Sequence, residues 1–200
     1  MSAVGGEGEA VGAGEGGRSG LVRLFVAADL PEAVRAALPK GPDPPWRPVS
    51  RSSLHVTLAF LGEIASAMVP VVSGAVRKAV GEPGSVVGEL RLLQTIALPP
   101  RRPRVLAVEI DDPAGSLAVL QERVADALVS AGVHEPERQP FLAHVTIGRA
   151  RGPVGRPDVY LDVAPVAFAV PSVTVYRSIT GKDGARYEAL ETVSLNSLDQ

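Results

Sequence analysis

His55-Val56-Thr57-Leu58-Ala59-Phe60-Leu61-Gly62 is the stretch whose reading decides the fold, because its opening recurs 89 positions later as His144-Val145-Thr146-Ile147-Gly148. Only three histidines occur in 200 residues, so two of them in matching His-Val-Thr runs is hard to ascribe to composition. Each run is apolar, β-branched and alternating with period two, the pattern of a half-buried strand. Side chains two apart on a strand share a face. His55 and Thr57 therefore face one side, with Val56, Leu58 and Phe60 on the other. In the second run His144 and Thr146 face away from Val145 and Ile147. Each strand presents an imidazole and a hydroxyl together.

Around these runs the chain has ordinary globular proportions, 46% apolar and 21% charged. Its length suits one domain of ordinary size, or one domain built from two lobes. The absence of cysteine excludes disulfides, thiolate metal sites and a cysteine nucleophile, and makes a reducing cytoplasm the expected compartment. There is no long apolar run and no secretory start, so no membrane association is expected. Residues 1–20 are Gly, Ala, Glu and Ser with little to bury and are expected to be a disordered tail, ahead of a single domain over 21–198. That tail supplies the whole net charge of -2 through Glu7, Glu9 and Glu15 against Arg18. The body is neutral, which argues against a broad grip on duplex nucleic acid but leaves room for a local patch. Arg101, Arg102 and Arg104, with Arg149 and Arg151, are the candidates.

Taken in order, Leu21 to Ala28 reads as a buried strand and Glu32 to Leu38 as a short helix behind Pro31. A loop with five prolines and Trp46 leads to the first histidine strand. Helical spacing runs from Ser66 to Val80 and again, strongly amphipathic, from Pro113 to Ala131 with Leu117, Leu120, Val124 and Leu128 as its stripe. Val86 to Leu98 and Arg104 to Ile110 read as strands. After the second histidine strand and a glycine-proline loop, Val166 to Ser178 is strand-like with Pro171 marking a bulge or edge. Lys182-Asp183-Gly184 is a hairpin signal before a last strand from Tyr187 to Leu195. The expected fold is α+β and bilobal, two antiparallel sheets with outer helices flanking a central cleft to which each lobe gives one histidine strand.

Two imidazoles, each beside a hydroxyl, suit acid-base cleavage of a phosphodiester. With an ordinary pKa near 6.5, one imidazole takes a proton from water while the other gives one to the leaving oxygen. Threonine hydroxyls can donate to nonbridging phosphate oxygens. This scheme calls for no cofactor and no metal. A zinc site using His134 as third ligand has no His-x-His or His-Glu-x-x-His spacing behind it, and His134 reads as a surface loop residue. Nor is there a Gly-x-Ser-x-Gly turn for a hydrolase triad. Phe60 and Phe141 flank the two motifs and can stack on a terminal base; the parity of Phe60 favours core packing over stacking, whereas Phe141 precedes its strand and is the better stacking candidate. Trp46 can cover the cleft rim or simply pack. Parity puts Arg149 on the Val145 face, so it reaches the cleft only if the strand ends or bulges near Gly148.

His55 to Gly62 and Phe141-Leu142-Ala143-His144-Val145-Thr146-Ile147-Gly148-Arg149 resemble the paired signatures of the two-histidine phosphoesterase superfamily, and within it the RNA 2',3'-cyclic phosphodiesterases also known as 2'-5' RNA ligases. Arg23-Leu24-Phe25-Val26-Ala27, Trp46, Val175-Tyr176-Arg177-Ser178 and Tyr187-Glu188 extend the resemblance over about residues 21 to 195. Ala143 stands where members often carry proline. The resemblance implies hydrolysis of a terminal 2',3'-cyclic phosphate to a 2'-phosphate, with His55 as proton donor and His144 as proton acceptor. Thr57 and Thr146 would hold the phosphate, helped by Arg149 or Arg151. Single-stranded RNA ends, such as tRNA fragments, or cyclic nucleotides are the implied partners, and a monomer is expected. RNA joining at 2'-5' linkages and noncatalytic binding of RNA ends remain the alternatives.

Overall fold

The computed structural model describes residues 20–39, 44–82, 85, 87–152, 154, 163–181 and 184–195. The expected tail lies outside them except for Gly20, whose carbonyl accepts from the Ser66 amide at 2.9 Å. The end of the expected domain, 196–198, lies outside as well, as does most of the glycine-proline loop before residue 163.

Alternating apolar runs and two amphipathic stripes give a layered α+β fold. The elements are β1 (Leu21–Asp29), α1 (Glu32–Ala37), β2 (Arg47–Pro48), β3 (His55–Ala65), α2 (Val69–Gly81), β4 (Leu90–Leu98), β5 (Val105–Asp111), α3 (Ser116–Ser130), β6 (His144–Arg149), β7 (Ala167–Phe168), β8 (Ser172–Gly181) and β9 (Gly184–Ser194). The strands pair antiparallel in the order β7-β4-β5-β6-β3-β1-β8-β9, with β2 on β6. The two expected sheets are thus joined into one. Their junction is narrow, a single pairing of Val56 on β3 with Val145 on β6.

That junction fixes which way the motifs face. Val56 and Val145 are fully buried on the side where α2 and α3 pack, among Val72, Val76, Leu117, Leu120, Val124 and Leu128. Burying each such valine is worth about 1.5–3 kcal/mol, so a one-residue slip that exposed them would be costly.

Boundaries differ from the sequence reading where side chains cap or chains turn. Helix α3 starts at Ser116 rather than Pro113 because Asp112 takes the first free amides, accepting from Leu117 N at 2.9 Å and Ala118 N at 3.0 Å. Gly115 makes the entry at φ 66°, a conformation suited to glycine. Strand β4 begins at Leu90, since Gly88 N instead donates to Ser116 Oγ at 2.9 Å. The strand expected from Val166 to Ser178 is divided at Pro171. Its first part, β7, pairs with β4 in one half of the sheet, and its second part, β8, pairs with β1 in the other.

Candidate active site

Because β3 and β6 run antiparallel about the Val56–Val145 pair, the four polar residues flanking that pair point to the opposite side from the helices. His55, Thr57, His144 and Thr146 are all half-buried there. The two imidazoles are held alike. His55 Nδ1 lies 2.8 Å from the Ser53 carbonyl and His144 Nδ1 lies 2.8 Å from the Leu142 carbonyl. A carbonyl only accepts, so each Nδ1 carries a proton and each Nε2 is left for proton transfer. The anchor of His55 is itself fastened, since Arg35 on α1 donates to the Arg51 and Ser52 carbonyls of the turn before β3.

Two strand irregularities bring in residues that parity had sent elsewhere. On β3, Ala59 pairs with Val26 and Thr57 with Ala27, so Leu58 is an extra residue and alternation restarts after it. Phe60 consequently faces the cleft, 60% exposed and with its ring centroid 6.1 Å from that of Phe25. This corrects the core assignment of Phe60. On β6, Thr146 pairs with Ala107 and Gly148 with Leu106, so Ile147 is the extra residue. Arg149 then pairs with Val105, on the same side as Ala107 and Thr146. The bulge required to turn Arg149 toward the histidine side is therefore present. Arg151 lies exposed past the end of β6.

A cavity of about 470 Å³ runs along this face, lined by Thr57, Phe60, Leu98, Gln121, Phe141 and His144 among others. Gln121 on α3 donates to the Leu58 carbonyl at 3.1 Å, securing the bulge. Phe141 lines the cavity together with Phe60. Trp46 is in the core. A second groove of about 860 Å³ adjoins, sharing Phe60, Glu137 and Gln139. Here His134 departs from expectation: its side chain is only 6% exposed, with Nε2 3.7 Å from Glu137 Oε1. Among the described residues no three His, Asp or Glu side chains converge as a metal site would.

A family model described as the 2'-5' RNA ligase superfamily matches residues 25–182. The chain belongs to this superfamily. Among curated relatives, an RNA 2',3'-cyclic phosphodiesterase of Aeropyrum pernix is 30% identical over 159 residues, covering 76% of this chain and 88% of that one. The RNA 2',3'-cyclic phosphodiesterase of Thermus thermophilus is 31% identical over 188 residues, covering 87% and 90%. Among solved structures, that of TT0787 from Thermus thermophilus superposes with a TM-score of 0.73 at 29% identity, covering 86% of this chain and 97% of that one. LigT of Escherichia coli, solved in complex with 3'-AMP, shares the fold with a TM-score of 0.71 at 24% identity, covering 89% and 100%.

Within this superfamily member, the surroundings of His55 are the part that the sequence reading missed. Its ring stacks on Phe25 at 4.9 Å and meets Tyr187 edge-on at 5.4 Å, with Tyr176 stacked behind Phe25. Opposite His55 in the register stands Asp29, 8% exposed. It accepts from Ser172 Oγ at 2.7 Å, Thr174 Oγ1 at 2.6 Å and Tyr176 Oη at 2.7 Å. Ser172-x-Thr174-x-Tyr176, hydroxyls at period two, was the available signal. Burial and donation to Asp29 push the Tyr176 phenol up to about 12.

Burial pushes the His55 imidazole down to about 4, with the charges of Arg149 and Arg35 acting the same way and the Ser53 carbonyl and Asp29 opposing. The folded chain therefore binds this proton less well than the unfolded chain does. Stability contributed by neutral His55 is complete above the ordinary value near 6.5 and is lost as pH falls toward 4. The unfolding free energy should drop by on the order of 2–3 kcal/mol across that window. A His55→Gln variant, followed by denaturant titration at each pH, should lose most of this slope. An equal slope in both proteins would refute the assignment.

Proposed function

We propose that this enzyme hydrolyses the terminal 2',3'-cyclic phosphate of RNA to a 2'-phosphate by acid-base catalysis between His55 and His144. The observation that carries this reading is the pair of His-x-Thr strands meeting at Val56–Val145, which puts two imidazoles and two hydroxyls on one side of a cleft. The names of the curated relatives support the substrate.

In this reading the cyclic phosphate lies between the motifs, where the Thr57 and Thr146 hydroxyls donate to its nonbridging oxygens and Arg149 offsets its charge, with Arg151 beyond. His144 takes a proton from water as the water oxygen attacks phosphorus. The bond from phosphorus to the 3' oxygen breaks, and His55 gives that oxygen a proton. The product carries a 2'-phosphate and a 3'-hydroxyl, and the imidazoles exchange protons with solvent to reset. His55 is neutral at pH 7 in the free enzyme, so it gains its proton with the substrate, whose anion raises its basicity and offsets Arg149. Phe60 and Phe141 flank the terminal base.

The same site, with an RNA 5'-hydroxyl in place of water as the nucleophile and the 3' oxygen again leaving, would form a 2'-5' linkage, in keeping with the superfamily's description. Single-stranded RNA ends or cyclic nucleotides are the partners, a monomer suffices because one chain supplies both motifs, and the cysteine-free composition suits the cytoplasm. No helix among the described residues is long and apolar enough to cross a membrane.

Product analysis on a 2',3'-cyclic mononucleotide tests the reading. The expected product is the 2'-phosphate alone, at a rate unchanged by EDTA. A 3'-phosphate would reverse the geometry of attack, and no reaction would leave an RNA-end-binding module. Inhibition by the chelator would bring back a metal.

A further inference from the structure

The arginines that sequence alone scattered over three segments are collected by the fold at one rim of the cleft. Arg47 on β2 is the register partner of Arg149 on β6, and Arg149 is in turn the partner of Val105, next to Arg104. The Arg104 carbonyl accepts from Ala150 N at 2.9 Å, and Pro103 accepts from Val154 N at 3.0 Å, which lays Arg151 alongside the β4–β5 hairpin that carries Arg101 and Arg102. All six side chains are exposed. Segments 44–53, 98–106 and 141–152 contain no Asp or Glu. None of the six arginines forms an ion pair among the described residues, where Arg77, Arg91 and Arg177 do.

Like charges on paired strands repel, and a chain whose body is otherwise neutral gains nothing in stability from gathering them here. An anionic ligand removes the conflict. The patch is continuous with the cleft, since Leu98, Pro99 and Pro100 at the start of the same hairpin line the cavity with Thr57 and His144. A ligand reaching both has a reactive phosphate at one end and further phosphates along its length.

We propose that this arginine rim binds the backbone phosphates of a single-stranded RNA preceding its reacting 3' end, so that the substrate is an oligonucleotide rather than a mononucleotide. This rests on the cyclic phosphodiesterase reading for the reacting end. The rim supplies affinity that depends on chain length and salt, independent of base sequence.

The test compares a hexanucleotide ending in a 2',3'-cyclic phosphate with a 2',3'-cyclic mononucleotide, using the intact protein and a triple variant, Arg101→Gln with Arg102→Gln and Arg104→Gln. The wild type should prefer the hexamer in kcat/KM, and that preference should fall steeply as salt rises from about 50 to 200 mM. In the triple variant the hexamer should lose at least about tenfold, with the salt slope flatter by about 2, three phosphate contacts at roughly 0.7 each. Mononucleotide turnover should stay as in the wild type, which also reports that the variant is folded. Lysine at the same three positions should restore most of the hexamer preference. Equal treatment of both substrates by the wild type, or an unaltered hexamer preference in the triple variant, would overturn the proposal. If neither substrate is turned over, the catalytic reading fails while the rim is still decided. Fluorescence anisotropy with a 2'-phosphate hexamer should then show salt-dependent binding by the wild type that the variant loses, and comparable binding by both proteins would overturn it.

Discussion

Alanine at either His55 or His144 should lower kcat on a 2',3'-cyclic nucleotide by about a thousandfold or more, because each variant removes one of two coupled proton transfers and general acid-base groups contribute about 10²–10⁴ each. The double variant should be little worse than either single one, since groups acting as a unit are not additive. The wild-type pH-rate profile should be bell-shaped, one limb for the acid and one for the base. Each single variant should keep only the limb of the remaining histidine. Folding should survive in the His144→Ala protein, whose ring is half-buried and bonded only to the Leu142 carbonyl among the described residues. Loss of activity there is therefore chemical. His55 stacks on Phe25, so His55→Gln is the companion variant that fills the space without supplying the proton. Undiminished turnover by any of these proteins would end the two-histidine mechanism.

Replacing Asp29 by alanine should cost about 3 kcal/mol of folding stability, a large part of the roughly 5–15 kcal/mol of an ordinary domain. Three hydroxyls, those of Ser172, Thr174 and Tyr176, donate to this one buried carboxylate. Hydrogen bonds to a charged group contribute about 1.5–3 kcal/mol each, and a buried donor left without an acceptor keeps its desolvation cost. Part of the loss is recovered, because Thr174 Oγ1 also lies 2.9 Å from Thr192 Oγ1 and water can reach the half-buried Ser172. Asp29→Asn should be milder in stability but should remove the charge that favours a proton on His55, moving the corresponding limb of the pH-rate profile to lower pH. Denaturant unfolding at pH 7 measures the first effect, and a change below about 1 kcal/mol in the alanine variant would show that the three hydroxyls find other acceptors.

Much of the site was legible because strand alternation is a local rule. Period two put His55 with Thr57 and His144 with Thr146, and the buried valines between them required one antiparallel junction to present all four together. The helices were legible for the same reason, their apolar stripes being written within single segments. The surroundings of His55 were not, since Asp29 and its three donors lie more than 140 positions apart in the chain. They meet only because β1 takes β3 on one side and β8 on the other.

Sequence by itself determined the two motif strands, the chemistry that their side chains can perform and the α+β class. Tertiary structure decided the rest of the cleft. The bulges at Leu58 and Ile147 turn Phe60 and Arg149 toward the histidines, and the β2–β6–β5 pairing gathers the arginines at the rim. The physical reason is the same in each case. Alternation along one strand follows from its own covalent geometry, but an extra residue is specified only by the partner strand that lacks it, so the phase of the pattern beyond a bulge is a property of the assembled sheet.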